Sequence, residues 1–177
     1  MNTKEMWICL VLMFCSLQTQ CKPCNGIDRY RLVNKEALSL LRGMGKEIST
    51  EEEFIPRLPY SSIVKAQGEV KMWFLHETID QIIRLFDGNL KAVSWNKRKL
   101  DNFLIVLDTL SNDLKACEGL EMHAQLSYRR RLKKHFRKLR KDILKRQNYS
   151  ARSWEVIRKT VETHLVRLDI IAATLVQ

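Results

Sequence analysis

The stretch LDNFLIVLDTLSNDLKAC, residues Leu100–Cys117, decides the architecture. Its apolar groups fall at Leu100, Phe103, Leu104, Leu107, Leu110, Leu114 and Cys117, three or four residues apart throughout. Residues at that spacing share one face of an α-helix, whereas a half-buried strand would alternate every second residue. The stretch therefore predicts a long amphipathic helix, with Ser94 as its expected N-cap and Gly119 as its stop.

The same period recurs on both sides. Upstream, Val70–Phe86 places Phe74, Leu75, Ile79, Ile82, Ile83 and Phe86 on one stripe, ended by Asp87-Gly88-Asn89. Ile27–Met44 does likewise with Tyr30, Val33, Ala37, Leu40, Leu41 and Met44, and stops near Gly43 and Gly45. Between these two runs lies a long connection, 46–60, holding Glu51, Glu52, Glu53, Phe54, Pro56 and Pro59. Long ordered loops in compact domains are often functional. Ser61-Ser62 is placed to cap a short helix that Gly68 ends or kinks. Downstream, a helix over 124–146 turns Tyr128, Leu132, Phe136, Leu139 and Ile143 inward. Asn148-Tyr149-Ser150 breaks it, and Ser150 caps a last helix with Trp154, Ile157, Val161, Leu165, Leu168 and Leu175 on its inner side. Five long helices and one short one, some joined by long crossovers, predict an all-α bundle. Six Gly and three Pro in 177 residues are too few breakers for a many-turned sheet protein.

The first residues read as a leader. A short start carrying Lys4 precedes the apolar run Met6–Leu17, and Thr19 and Cys21 supply small side chains at the third and first positions before a cut. The run falls well short of the ~20 apolar residues a membrane span needs. Residues 1–21 are therefore expected to be a secretory signal peptide and 22–177 a single helical domain, secreted to the extracellular space. A cut after Cys21 removes Cys9, Cys15 and Cys21 and leaves Cys24 and Cys117, which in an oxidising compartment read most simply as one disulfide. It would close a loop of roughly 90 residues, worth ~4 kcal/mol in the chain-entropy picture. An earlier cut leaves Cys21 as a spare thiol.

The formal charge of +11 is concentrated in one place. Between Arg129 and Arg146 stand eleven Lys/Arg against Asp142 alone, a net +10, so the rest of the chain is close to neutral. One basic helix does not imply nucleic acid, and its apolar stripe suits a core helix rather than membrane insertion. The charged face also lacks aromatic groups on which bases stack. A solvated face that aids solubility or steers a partner is the favoured reading of 129–146, with heparan sulfate binding as the alternative. No phosphate-binding loop, nucleophile elbow or zinc-ligand spacing occurs, so no enzyme activity, metal or other cofactor is expected. His76, His123, His135 and His164 are isolated in sequence and read as hydrogen-bonded structural groups. Asn148-Tyr149-Ser150 is a glycosylation acceptor triplet, with Asn148 as the site.

Several of these stretches resemble the type I interferons. Phe74–Phe86 (FLHETIDQIIRLF) resembles the L-H-E-x-I-x-Q-I-x-x-L-F helix of that family. Trp95 with Leu100-Asp101-Asn102-Phe103 is similar to the start of its next helix, and Asn112–Cys117 (NDLKAC) to that helix's N-D-L-E-A-C end. Tyr149–Arg158 (YSARSWEVIR) resembles the family's Y-S-P-C-A-W-E-V-V-R, and Phe54-Ile55-Pro56 its F-G-F-P loop. The matches are collinear over most of the chain after residue 21. Arg152 stands where the family has a cysteine, and no cysteine lies between Cys24 and Cys117, so the family's second disulfide is absent. In this the chain resembles the two-cysteine group of fish interferons, with which it shares Cys24, Arg29, Tyr30 and Arg31. His135-Phe136 stands where the family has an aromatic pair, and the spacing from there to Trp154 is one residue longer.

The resemblance implies a long-chain helical cytokine bundle, an up-up-down-down four-helix core with additional helices. It implies a monomer that bridges two different class II cytokine receptor chains, activates JAK–STAT signalling and induces antiviral genes. One chain would be held by the first loop and the last helix, through Phe54, Arg57, Leu58, Arg158, Lys159 and Glu162. The other would meet the opposite face, including Arg130 and Lys133. Trp154 is expected in the core. Another helical cytokine of the interleukin-10 or growth-hormone type, or a basic host-defence protein, are the competing classes.

Overall fold

The computed structural model describes residues 25–45, 58–116 and 126–176. They form α1 (Asn25–Met44), the short α2 (Tyr60–Val64), α3 (Gly68–Phe86), α4 (Lys97–Lys115), α5 (Leu126–Lys138) with a π-helical continuation Leu139–Lys145, and α6 (Ala151–Ala173). No strand occurs among the described residues.

Pairings between helices fix the topology. Arg29 meets Asp113 and the Asn96 amide donates to the Met44 carbonyl, so α1 and α4 are antiparallel. Asn34 bonds to the Leu165 carbonyl and Arg42 to Glu162, so α1 and α6 are antiparallel as well. Ser111 bonds to Asp80 and Phe103 stacks edge-on against Phe86, which sets α3 against α4. Hence α1 and α3 run one way and α4 and α6 the other, the up-up-down-down core. Arg129 lies over the Trp73 ring and Arg140 donates to the Arg84 carbonyl, so α5 runs alongside α3 in the same direction.

The predicted stripes become the core. Leu41, Leu75, Ile79, Phe103, Leu107, Trp154 and Leu165 are fully buried, each contributing roughly 1.5–3 kcal/mol of transfer free energy. At one end Phe86, Trp95, Phe103 and Trp154 form an aromatic knot with centroids 5.4–6.2 Å apart. Trp154 Nε1 donates to the Asn89 carbonyl at 2.9 Å, and a Cβ on Gly88 would come within 3.2 Å of the Trp154 ring. The glycine lets the α3–α4 connection lie flat on that indole.

Four local expectations change. Ser61 and Ser62 lie inside α2, whose N-cap is Pro59, and the Ser62 hydroxyl donates back to the Pro59 carbonyl at 2.8 Å instead of capping the helix. Asn96, not Ser94, caps α4: its side-chain oxygen accepts the Lys99 amide at 3.0 Å. Trp95, pinned to Phe86 and Glu155, is fixed one position upstream of that cap, and the chain turns helical only after it. Gly68 opens α3 instead of closing α2. The basic helix is not one α-helix, because residues 139–145 widen into a π-turn with five-residue bonds, Arg146 N to Lys141 O (3.1 Å) and Tyr149 N to Leu144 O (2.8 Å). A wider turn takes up one residue without rotating the inner face away, and Leu139, Ile143 and Leu144 all stay buried.

The expected Ser150 cap is present, accepting the Ser153 amide at 3.2 Å. Just before it Asn148 and Tyr149 both adopt left-handed φ, 50° and 53°. Asn tolerates that region, whereas Tyr does so at a cost of about 1 kcal/mol that its packing against the core offsets.

Candidate functional site

Helices α1 and α6 expose apolar side chains that their core stripes do not use. Leu32 is 74% exposed, Val176 56%, Ile170 47% and Val166 38%. A shallow groove between the two helices is lined by Leu32, Leu38, Ala173 and Val176 together with the charged Asp28, Arg31, Lys35, Arg42 and Asp169, while Val166 and Ile170 lie outside it on α6. Two ion pairs cross it, Arg31–Asp169 at 3.7 Å and Arg42–Glu162 at 2.6 Å. Exposed apolar groups among charged ones are the pattern of a protein-binding surface. The sequence carried a signal for it: Leu32, Val166 and Ile170 fall off the predicted inner stripes of their own helices.

Below the C-terminal end of α1 lies a buried polar cage. Arg158 Nε donates to Glu155 Oε2 at 2.9 Å, and its Nη1 to the Leu41 carbonyl at 3.2 Å. Trp95 Nε1 donates to the other Glu155 oxygen, and Lys99 Nζ to the Gly43 carbonyl at 3.0 Å. A Cβ on Gly45 would sit 2.8 Å from both Arg158 Nε and Glu155 Oε1, so only glycine lets the chain pass this close. The cage thus grips the root of the segment 46–57.

This placement corrects two expected contact residues. Arg158 is 3% exposed, its guanidinium committed to Glu155 and α1, and therefore holds the loop root from within instead of standing on the face. Leu58 is 6% exposed and belongs to the core. Lys159 and Glu162 are half-buried at the border of the face, and Glu162 already engages Arg42. Phe54, Arg57, Cys24 and Cys117 lie outside the described residues. Arg130 and Lys133 are exposed on α5, and Trp154 is in the core as expected.

Farther along α6 the sequence reading missed a cluster. His135 and His164, isolated in sequence, meet with Nε2 atoms 3.0 Å apart, and the Tyr60 hydroxyl reaches His164 Nδ1. Burial first, then the His135 ring, pushes the His164 pKa down to about 3, and burial drives that of Tyr60 up. Through these contacts the neutral His164 ring ties α2, α5 and α6 together. Period alone places His135 beside Phe136 and His164 beside Leu165, but nothing in it shows that the two helices bring those positions into contact.

Asn148 is exposed at the turn into α6. Both ends of its acceptor triplet have structural roles, Asn148 in left-handed φ and Ser150 as a cap. Among the described residues no group of three or more His, Cys, Asp or Glu is arranged to hold a metal, and no helix is long and apolar enough to cross a membrane.

Comparison with known proteins gives a consistent result. The interferon alpha/beta domain model matches residues 28–175. Interferon a3 of Oncorhynchus mykiss is 43% identical over 176 residues, 98% of this chain and 98% of that protein. Interferon epsilon of Homo sapiens is 28% identical over 144 residues, 74% of this chain and 68% of that protein. Among solved structures, zebrafish interferon 1 superposes with a TM-score of 0.76 at 38% identity, covering 86% of this chain and 99% of that one. Zebrafish interferon 2 does so with 0.63 at 29% identity, covering 80% and 96%.

Proposed function

The chain belongs to the interferon alpha/beta family, and from that premise we propose that it is a secreted, monomeric cytokine bridging two different class II cytokine receptor chains. Bridging activates the kinases on their cytoplasmic tails, STAT-type factors and antiviral genes. Its relatives are cytokines, not enzymes, and the mechanism requires no bond-making: a rigid bundle sets the distance and angle between two membrane proteins. The observation that carries this reading is the α1–α6 groove, where exposed Leu32 and Val176 stand among charged side chains, with Val166 and Ile170 also exposed on α6. Such a face gains free energy when a partner covers it, at roughly 25 cal/mol per Å² of apolar area.

We assign the first receptor chain to this face with Lys159 and Glu162 at its border, together with Phe54 and Arg57 of the loop. Arg158 acts as a positioning residue for that loop. The second chain is assigned to α5, through Arg130 and Lys133. A leader over 1–21 and a Cys24–Cys117 disulfide belong to the same proposal. In its support, Arg29 of α1, five residues after Cys24 in sequence, and Asp113 of α4, four residues before Cys117, lie 3.6 Å apart. Exposed Asn148 is proposed as a glycan acceptor, tested by the mass lost on enzymatic deglycosylation of the secreted protein.

The test is STAT phosphorylation in receptor-competent cells of the source species, treated with purified, oxidised Lys22–Gln177. A rapid response lost on deleting either receptor chain is expected. No response from correctly folded protein would overturn the proposal.

A further inference from the structure

We propose that the outward face of α5 is a docking site for a linear sulfated polysaccharide of the heparan sulfate type. All eleven Lys/Arg between Arg129 and Arg146 are exposed. Elsewhere the protein pairs five of its arginines, Arg29, Arg31, Arg42, Arg84 and Arg158, each facing a carboxylate. On α5 it does not. Among the described residues none of the eleven forms an ion pair, Arg129 lying over Trp73 and Arg140 on a backbone carbonyl. The single acid within the run, Asp142, is itself exposed. These charges therefore repel one another along the helix, since like charges three and four residues apart are neighbours. A polyanion relieves that repulsion and gains from counterion release.

The arrangement suits a linear polymer. Arg130, Lys134, Arg137 and Lys141 follow at steps of four, three and four, one stripe about 16 Å long at 1.5 Å per residue. Lys133 and Lys138 flank it. Arginine forks suit the planar pairs of oxygens on a sulfate, as on other oxyanions. A bilayer is disfavoured because the apolar side of α5, Leu132, Phe136 and Leu139, is fully buried and has nothing left to insert. Single-stranded nucleic acid is disfavoured because the stripe has no aromatic group on which bases could stack. The choice of a sulfated glycan over other polyanions rests on the extracellular destination proposed above; the basic docking face itself does not.

The stripe includes Arg130 and borders Lys133, both assigned to the second receptor chain. Polysaccharide and second receptor chain therefore compete for α5, while the α1–α6 face stays open. Glycan-held protein is then a reservoir that signals only when released.

The test is heparin-affinity chromatography of oxidised Lys22–Gln177 in a salt gradient. Two variants with equal charge loss are compared: Arg130→Ala/Lys134→Ala/Arg137→Ala/Lys141→Ala, and Lys91→Ala/Lys97→Ala/Arg98→Ala/Lys115→Ala, all at exposed positions. The parent protein is expected to stay bound above physiological ionic strength, and only the first variant to elute much earlier, with its salt slope reduced by roughly three to four. As a second readout that needs no variant, bound heparin should protect Lys134, Lys138 and Lys141 from acetylation and leave Lys91, Lys97 and Lys115 reactive. Co-elution of the two variants, uniform acetylation, or retention on duplex DNA or phosphatidylserine vesicles as tight as on heparin would overturn the proposal. Because these readouts involve no receptor, they stand or fall separately from the STAT response.

Discussion

Helix α6 carries two buried polar clusters nine residues apart in sequence, and they solve the same problem in opposite ways. At Glu155 and Arg158 the charges are kept and matched: carboxylate, guanidinium, indole N–H and backbone carbonyl satisfy one another. At His164 charge is refused: the ring stays neutral between Tyr60 and His135. The first solution is intolerant of losing one partner. The second tolerates substitution by an apolar ring but is sensitive to protons. Both sit at joints where helices must be held in register, the cage at the root of the 46–57 loop and the histidines at the α2–α5–α6 junction.

The comparison breaks most readily at the cage. Arg158→Ala leaves Glu155 buried without its cation, and an expected ~3–5 kcal/mol of unfolding free energy is lost in urea titration. Glu155→Leu combined with Arg158→Met should cost less than either single change, because no lone charge remains. If Arg158→Ala unfolds like the parent protein and only receptor affinity falls, Arg158 is a surface contact and the cage account is wrong.

The histidine cluster sharpens the contrast through pH. Unfolded His164 takes up a proton below about 6.5, whereas the folded ring does so only near 3. The unfolded state therefore binds more protons between these values, and stability is complete above pH 6.5 and declines as pH falls towards 3, by ~1.4 kcal/mol per pH unit. Melting curves from pH 7 to 4 should show this slope, and His164→Phe should flatten it. A slope unchanged in His164→Phe would place the acid sensitivity elsewhere.

Smaller effects on stability are expected on the α1–α6 face. Leu32→Asp and Ile170→Asp alter exposed positions and should shift unfolding by no more than about 0.5 kcal/mol. Asn148→Gly exchanges one residue that tolerates left-handed φ for another and should change stability by only a few tenths of a kcal/mol. A large loss in either case would mean that the residue supports the fold.

The inner stripes made the helices legible, since period and burial are linked: Leu100, Phe103, Leu107, Leu110 and Leu114 are all buried as their spacing predicts. Caps were less legible. Ser94 and Asn96 are both good caps by residue type, and only the anchoring of Trp95 by Glu155 and Phe86 decides between them. The π-turn at Leu139–Lys145 was not legible, because the inner stripe Leu132, Phe136, Leu139 and Ile143 keeps a helical spacing through it. The candidate site was harder still. The buried position of Arg158 depends on the close pass of Gly45, and the His135–His164 contact joins two helices whose pairing no local pattern encodes. The exposed apolar groups of this face were written in the sequence as off-stripe Leu32, Val166 and Ile170, yet single exposed apolar residues are ordinary, and the α1–α6 groove beside Leu32 becomes visible only in the fold.

The most direct measurement of the central claim compares the parent Lys22–Gln177 with Leu32→Asp/Ile170→Asp, recording STAT phosphorylation against dose in receptor-competent cells and melting temperature on the same samples. The account predicts matched melting and a variant whose half-maximal dose rises at least tenfold. Equal melting with an unchanged dose response would show that the α1–α6 face does not bind the receptor.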